Sequence, residues 1–176
     1  MTDWRAYWIC FSYVKGIGSV RFKALLDTFG DAETAWKAPP DSLHQAGLGP
    51  KIIENFRQVR SQIDPDQLWE RLQRLEISAL TWEDEAYPRR LREVDQPPPV
   101  LYLRKAFAPE DEWAVGIVGT RRATPYGRQV TEELARVLAG NGITVVSGLA
   151  RGIDAVAHQA ALRAGGRTIA VLGSGL

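Results

Sequence analysis

Val115-Gly116-Ile117-Val118-Gly119-Thr120-Arg121-Arg122-Ala123-Thr124-Pro125-Tyr126-Gly127 is the stretch that decides the fold. An apolar run over 115–118 ends in a glycine turn, and Thr124 with Pro125 then marks a helix start. A threonine hydroxyl caps the first N–H groups, and proline suits the first helical position. Val130, Leu134, Val137 and Leu138 follow at helical spacing as the expected core face, with Gly142 beyond the helix end. The pattern then repeats. An apolar run at 143–146 precedes a helix expected from Asp154, as its cap, through Ala157, Ala160 and Ala161 to Gly165, and a third apolar run spans 169–172. Strand, helix, strand, helix, strand in this order predicts an α/β fold with a Rossmann-like parallel βαβαβ sheet.

Each strand runs into glycine: Gly119 before Thr120-Arg121-Arg122, Gly148 before Leu149-Ala150-Arg151-Gly152, and Gly173 before Ser174-Gly175. Parallel strands bring all three loops to one sheet edge, where open α/β sheets bind ligands and helix N-termini favour anions. The glycines are equally explained by turn geometry alone. The arginines are harder to explain that way, because Arg121, Arg122 and Arg151 precede helix starts, where positive charge opposes the helix dipole. An anionic partner resolves the conflict. Thr120, Ser147 and Ser174 are candidate hydroxyl donors to a phosphate and equally candidate turn caps. Asp154 reads as a helix cap rather than a catalytic acid, and His158 as a packed residue rather than a general base. The chain has no G-x-x-x-x-G-K-[ST] motif, and the strand-to-helix turn at 116–119 is not G-x-G-x-x-G, which weighs against ATPase and NAD readings.

Working outward, 176 residues suffice for one average domain or two small ones. A composition of 45% hydrophobic and 24% charged residues excludes disordered and collagen-like chains. The net charge of +1 is unevenly spread: residues 1–64 carry 8 basic and 7 acidic groups, residues 65–113 carry 7 and 11, and residues 114–176 carry 7 and 3. The last stretch has no lysine, so its positive charge is all arginine, the side chain suited to bidentate phosphate contacts. One cysteine, Cys10, forms no intrachain disulfide, and with His44 and His158 it makes a poor zinc set, so no metal and no cofactor are expected. The apolar run 6–14 lacks a small-x-small cleavage site and reads as core. The longest uncharged run, 137–150, is shorter than the ~20 residues of a bilayer span, so a cytoplasmic protein with no membrane partner is expected.

The first 64 residues read as short helices around Trp8, Phe11, Leu25, Phe29 and Trp36, punctuated by Gly16-Ile17-Gly18 and Gly47-Leu48-Gly49. Such turns are similar to those of helix-hairpin-helix units, which hold a DNA phosphate on backbone N–H groups. With near-neutral charge they read here as scaffold. Next come an amphipathic stretch at Leu68, Trp69, Leu72 and Leu75, and strand-like runs at 77–82 and 100–103. Pro97-Pro98-Pro99 forms a stiff lead-in to the second, edge strand. The expected organisation is a small helical SAM-like or helix-hairpin-helix-like domain at 1–64 and a Rossmann-like domain at 65–176, with 65–112 as connecting helix and edge strands.

The motif at 116–127, the motif Ser147-Gly148-Leu149-Ala150-Arg151-Gly152-Ile153-Asp154 and the element Val171-Leu172-Gly173-Ser174-Gly175-Leu176 together resemble the DprA/Smf family of DNA-processing proteins. The weaker stretches Tyr87-Pro88 with Leu91, and Pro98-Pro99 with Leu101-Tyr102, resemble it too, so the resemblance covers nearly the whole chain. It implies a non-enzymatic module that binds and protects incoming single-stranded DNA, forms a homodimer when full length, and helps load the RecA recombinase in natural transformation. Carried onto this chain, the family's phosphate-facing turns fall on Gly119, Thr120, Arg121 and Arg122 and on Ser147, Gly148, Arg151 and Gly152, to which the spacing adds Ser174. Family members continue past the 171–176 element, so the chain is expected to hold only the first half of the Rossmann-like domain. The competing reading is a Rossmann-like enzyme acting on a nucleotide phosphate, similar to nucleotide phosphoribohydrolases, whose Pro-Gly-Gly motif with a following acid this sequence lacks.

Overall fold

The computed structural model describes residues 3–173 and divides into two compact units, Met1–Ala106 and Phe107–Leu176. In the first unit, helix α1 (Arg5–Ser12) is apolar on every side, and residues Ala6 through Phe11 are all buried. Around it pack α2 (Ser19–Phe29), α3 (Ala32–Lys37), α4 (Pro40–Gln45) and α5 (Pro50–Gln62). Asp31 caps α3 by accepting from the Thr34 N–H at 2.8 Å. The core is a ring cluster: Phe11 lies 5.1 Å from Phe22 and 5.2 Å from Trp36, and Trp36 lies 5.0 Å from Phe56. Both glycine hairpins serve this core, since Leu48 is buried in it, Ile17 packs against it, and Asn55 fastens the first hairpin by donating to the Lys15 carbonyl at 2.9 Å. Cys10 is fully buried, and that burial pushes its thiol pKa up to about 12.

The first unit continues through α6 (Pro65–Arg74), β1 (Ser78–Thr81), α7 (Arg89–Arg92) and β2 (Val100–Leu103). The strands pair antiparallel, with Ser78 opposite Leu103 and Thr81 opposite Val100. The three prolines do precede β2, and Trp82 Nε1 and the Tyr87 hydroxyl both donate to the Pro98 carbonyl, at 3.0 and 2.8 Å. The expected boundary after residue 64 differs from the observed division after Ala106. Leu72, Ile77 and Ala79 bury themselves against Ile9 of α1, which places the 65–106 segment with the helices.

The second unit opens with a 3-10 turn, Pro109–Glu112, followed by β3 (Ala114–Gly116), α8 (Pro125–Gly140), β4 (Thr144–Ser147), α9 (Ile153–Arg163) and β5 (Thr168–Ala170). The sheet is parallel in the order β3-β4-β5, with Ala114 opposite Thr144 and Val145 opposite Thr168. This is the expected βαβαβ. Asp111 ties its base together, accepting from the Thr144 hydroxyl at 3.0 Å and from Arg167 at 2.5 and 2.7 Å.

Two local expectations are corrected. The buried stripe of α8 is Thr131, Ala135 and Ala139, whereas Val130, Leu134 and Val137 are exposed and Leu138 is half-buried. The reason is close helix packing: α8 meets the alanine face of α9, Ala157, Ala160 and Ala161, so small side chains take the interface. The second correction concerns Asp154, which is not the cap of α9. Gly152 holds that position and Asp154 lies inside the first turn. Among the described residues no helix is long and apolar enough to cross a membrane, and no group of three or more His, Cys, Asp or Glu residues is arranged to hold a metal ion.

Candidate nucleic-acid interface

Because β3 and β4 run parallel and adjacent, the loops that leave them emerge on the same edge of the sheet. The first loop carries Gly119, Thr120, Arg121 and Arg122 into α8, where the Thr124 hydroxyl oxygen accepts from the Gly127 N–H at 3.1 Å. The second carries Gly148, Leu149, Ala150 and Arg151 into α9.

Asp154 joins them. Only 5% exposed, its carboxylate accepts from the Gly119 N–H of the first loop at 3.3 Å and from the Gly148 and Ala150 N–H groups of the second at 3.1 and 3.4 Å. The Ile153 N–H adds a bond to the Thr120 carbonyl at 3.2 Å. Two glycines permit this contact. A Cβ on Gly119 would stand 2.7 Å from the Ile153 side chain, and Gly152, at φ +87°, lies so close to the first loop that a Cβ would fall on the Thr120 carbonyl oxygen. The sequence-selected residues Gly119, Thr120, Arg121, Arg122, Gly148, Arg151 and Gly152 are thereby brought into one assembly of two loops.

Arg121, Arg122 and Arg151 are exposed, and among the described residues none of the three guanidinium groups has an ion pair or hydrogen bond. Arg163 and Arg167, by contrast, pair with Glu132 and Asp111. Gly152 supplies no side-chain cap to α9, and the one acidic residue of its first turn, Asp154, is buried and turned onto the loop N–H groups, so the exposed face of the loops carries only the arginine charges.

Thr120 is exposed, and its hydroxyl oxygen accepts from the Arg122 N–H at 3.1 Å, which shapes the turn. Ser147 differs from expectation: it points into the sheet, 2% exposed, and its hydroxyl donates to the Ile117 carbonyl at 2.6 Å, so that proton is not free for a phosphate. Ser174 lies outside the described residues. His158 is buried behind the site. Thr168 gives its hydroxyl hydrogen to the Val145 carbonyl at 2.7 Å, so the 2.7 Å contact to His158 is a donation from Nδ1–H to Thr168 Oγ1. Nε2 is then a buried acceptor without a partner among the described residues, and burial holds the imidazole pKa below its ordinary value. This neutral, enclosed ring is a packing residue.

The clamp role of Asp154 was not apparent from spacing alone, because a cap and a first-turn residue differ by only two positions. The conformation of Leu149, inside the second loop, was not apparent either. The residue stands at φ +57° and is 58% exposed.

The family model described as DNA recombination-mediator protein A matches residues 78–176, more than half of the chain. Protein Smf of Synechocystis sp. is 45% identical over 177 residues, covering 98% of this chain and 44% of that protein. The DNA processing protein DprA of Bacillus subtilis is 32% identical over 149 residues, covering 80% of this chain and 50% of that protein. The chain thus spans half or less of the length of these two relatives. The crystal structure of DNA processing protein A from Streptococcus pneumoniae superposes with a TM-score of 0.72 at 26% identity, over 99% of this chain and 59% of that one. The shared α/β architecture and the match across the entire Rossmann-like unit make the chain a member of the DNA recombination-mediator protein A family.

Proposed function

We propose that the two-loop crest binds the phosphates of single-stranded DNA. Arg121, Arg122 and Arg151 supply the charge, and the backbone around Gly119, Thr120, Gly148 and Gly152 supplies close approach. The observation that carries this reading is the set of three exposed, unpaired arginines on loops locked together by one buried carboxylate. Arginine charges held beside helix starts gain by meeting an anion and lose by facing each other alone. The module acts without catalysis in the cytoplasm. As a homodimer it protects incoming DNA and passes it to a RecA recombinase during natural transformation. Membership of a DNA recombination family supports that role.

The test is equilibrium binding of a labelled oligonucleotide across a salt series. Three neutralised phosphates on a single strand give a slope of log K against log salt of about −2. Arg121→Ala and Arg151→Ala are each expected to weaken binding and to flatten the slope by about 0.7. Unchanged affinity and slope in both variants would refute the crest. A mononucleotide that competes as well as the oligonucleotide and is turned over would favour the nucleotide-phosphate enzyme instead.

A further inference from the structure

Leu149 is held in a conformation that leucine does not favour. Its φ of +57° is left-handed, and the N–H groups on both sides of it, Gly148 and Ala150, are bound by the same Asp154 oxygen at 3.1 and 3.4 Å. Glycine or asparagine occupies such a position with little strain. Nor does packing repay the leucine, which is 58% exposed at the loop tip, two residues before Arg151. Of the four described non-glycine residues with positive φ, Leu149 alone is apolar, and residues held in such strain by their surroundings cluster at binding sites.

A second apolar group stands on the other loop's side. Tyr126 is 76% exposed in the first turn of α8, four residues after Arg122, and its hydroxyl has no partner among the described residues. The next residue, Gly127, faces α9, since a Cβ there would lie 3.6 Å from Ile153 Cδ1. The first turns of the two helices are therefore neighbours, with the arginine loops leading into them. The crest combines cationic groups with exposed apolar side chains: Tyr126 beside the first loop, Leu149 on the second, and Val118, 75% exposed, just before Gly119. Phosphates need only the cations. An exposed ring and a leucine match the flat apolar faces of nucleobases, which a single strand offers and a duplex keeps stacked inside.

We infer that Tyr126 and Leu149 contact the bases of the strand whose phosphates lie on Arg121, Arg122 and Arg151, and that they set the preference for single over double strands. This rests on the phosphate reading of the crest given above. Tyr126 stacks on a base, and Leu149 packs against a base or sugar face on the second loop.

The test compares three labelled probes on the 176-residue chain: oligo-dT, an abasic oligonucleotide of the same length and charge, and a matched duplex. The unaltered chain is expected to bind oligo-dT more tightly than either of the others. Tyr126→Ala is expected to lose about tenfold on oligo-dT, within the range for one stacked base, with the abasic affinity and the salt slope unchanged, and Tyr126→Trp to restore it. Leu149→Gly relieves the backbone, so it is expected to leave thermal stability equal or higher while still weakening oligo-dT binding. A merely structural leucine would not give that pair of results. Equal losses on oligo-dT and abasic probes, or no loss on either, would overturn the inference. If the unaltered chain binds oligo-dT and the abasic probe equally tightly, base contact is refuted while the phosphate crest stands. If it binds neither, both readings fall together.

Discussion

Asp154 uses both carboxylate oxygens on backbone N–H groups from two loops, a role normally divided among several caps. Removing it strands three donors at once, two of them on the loop glycines Gly119 and Gly148. Asp154→Ala is therefore expected to lower stability by about 2–4 kcal/mol, read as a lower denaturant midpoint. It is also expected to weaken oligonucleotide binding although the arginines remain. A variant with full stability and full affinity would contradict the clamp. How much of this was visible beforehand varies with the residue. Gly119, Arg121, Arg122 and Arg151 were legible because strand-ending glycines and misplaced charges are local signals. The inward turn of Ser147 was not, since a serine at a strand end faces either side of the sheet, and only the Ile117 carbonyl decides which. Leu149 was invisible for a similar reason: its φ is imposed by an aspartate five residues on, not by its own chemistry.

At the scale of elements, periodicity found all three strands and both helices of the second unit, and misjudged the buried face of α8. Val130, Leu134 and Val137 carry the stronger apolar signal, yet the helix turns Thr131, Ala135 and Ala139 inward because α9 offers alanines that allow close approach. Size complementarity, a property of two elements together, is absent from either helix read alone. The polar ties between elements set the response to acid. His158, which links α9 to Thr168 of β5, is held below the ordinary imidazole pKa mainly by burial, so the unfolded chain binds that proton more readily. Stability is complete above the unfolded value near 6.5 and declines as pH falls from there toward the depressed folded value, by at most about 1.4 kcal/mol per pH unit for one proton. Asp111 acts lower on the scale. Partial burial opposes its ionisation, but Arg167, the Ala108 N–H and the Thr144 hydroxyl prevail and hold it below the usual carboxylate range. Its contribution is present above the unfolded pKa and is lost as pH falls through the folded one. Denaturant midpoints measured from pH 8 to pH 2 are expected to fall in an upper stage set by His158 and a lower one that Asp111 shares with Asp84 and Asp31, whose carboxyls are likewise held low by their hydrogen bonds. His158→Gln should remove the upper stage and leave the lower, and a flat profile between pH 7 and pH 5 would contradict it.

For the whole molecule, the division after Ala106 follows a stretch in which Arg104 and Lys105 are exposed and Lys105 sits at φ +71°. Limited trypsin digestion is expected to cut first there, giving fragments that begin or end at 104–106 by mass spectrometry. First cleavage inside either unit would contradict the division. The helical unit was largely legible, because aromatic residues at helical spacing have few places to go but the core. The boundary was not, because the hold of Ile9 on Ile77 and Ala79 joins residues about 70 positions apart. The two units also differ in a way that follows from one side chain. Cys10 is the only cysteine of the chain, lies fully buried in the first unit, and has its thiol pushed far above neutral pH. An alkylating reagent therefore meets no thiolate until the helical unit opens, and the second unit contributes no background at all. The rate of labelling becomes a clock for excursions of one half of the molecule, readable in mixtures with DNA without any engineered probe.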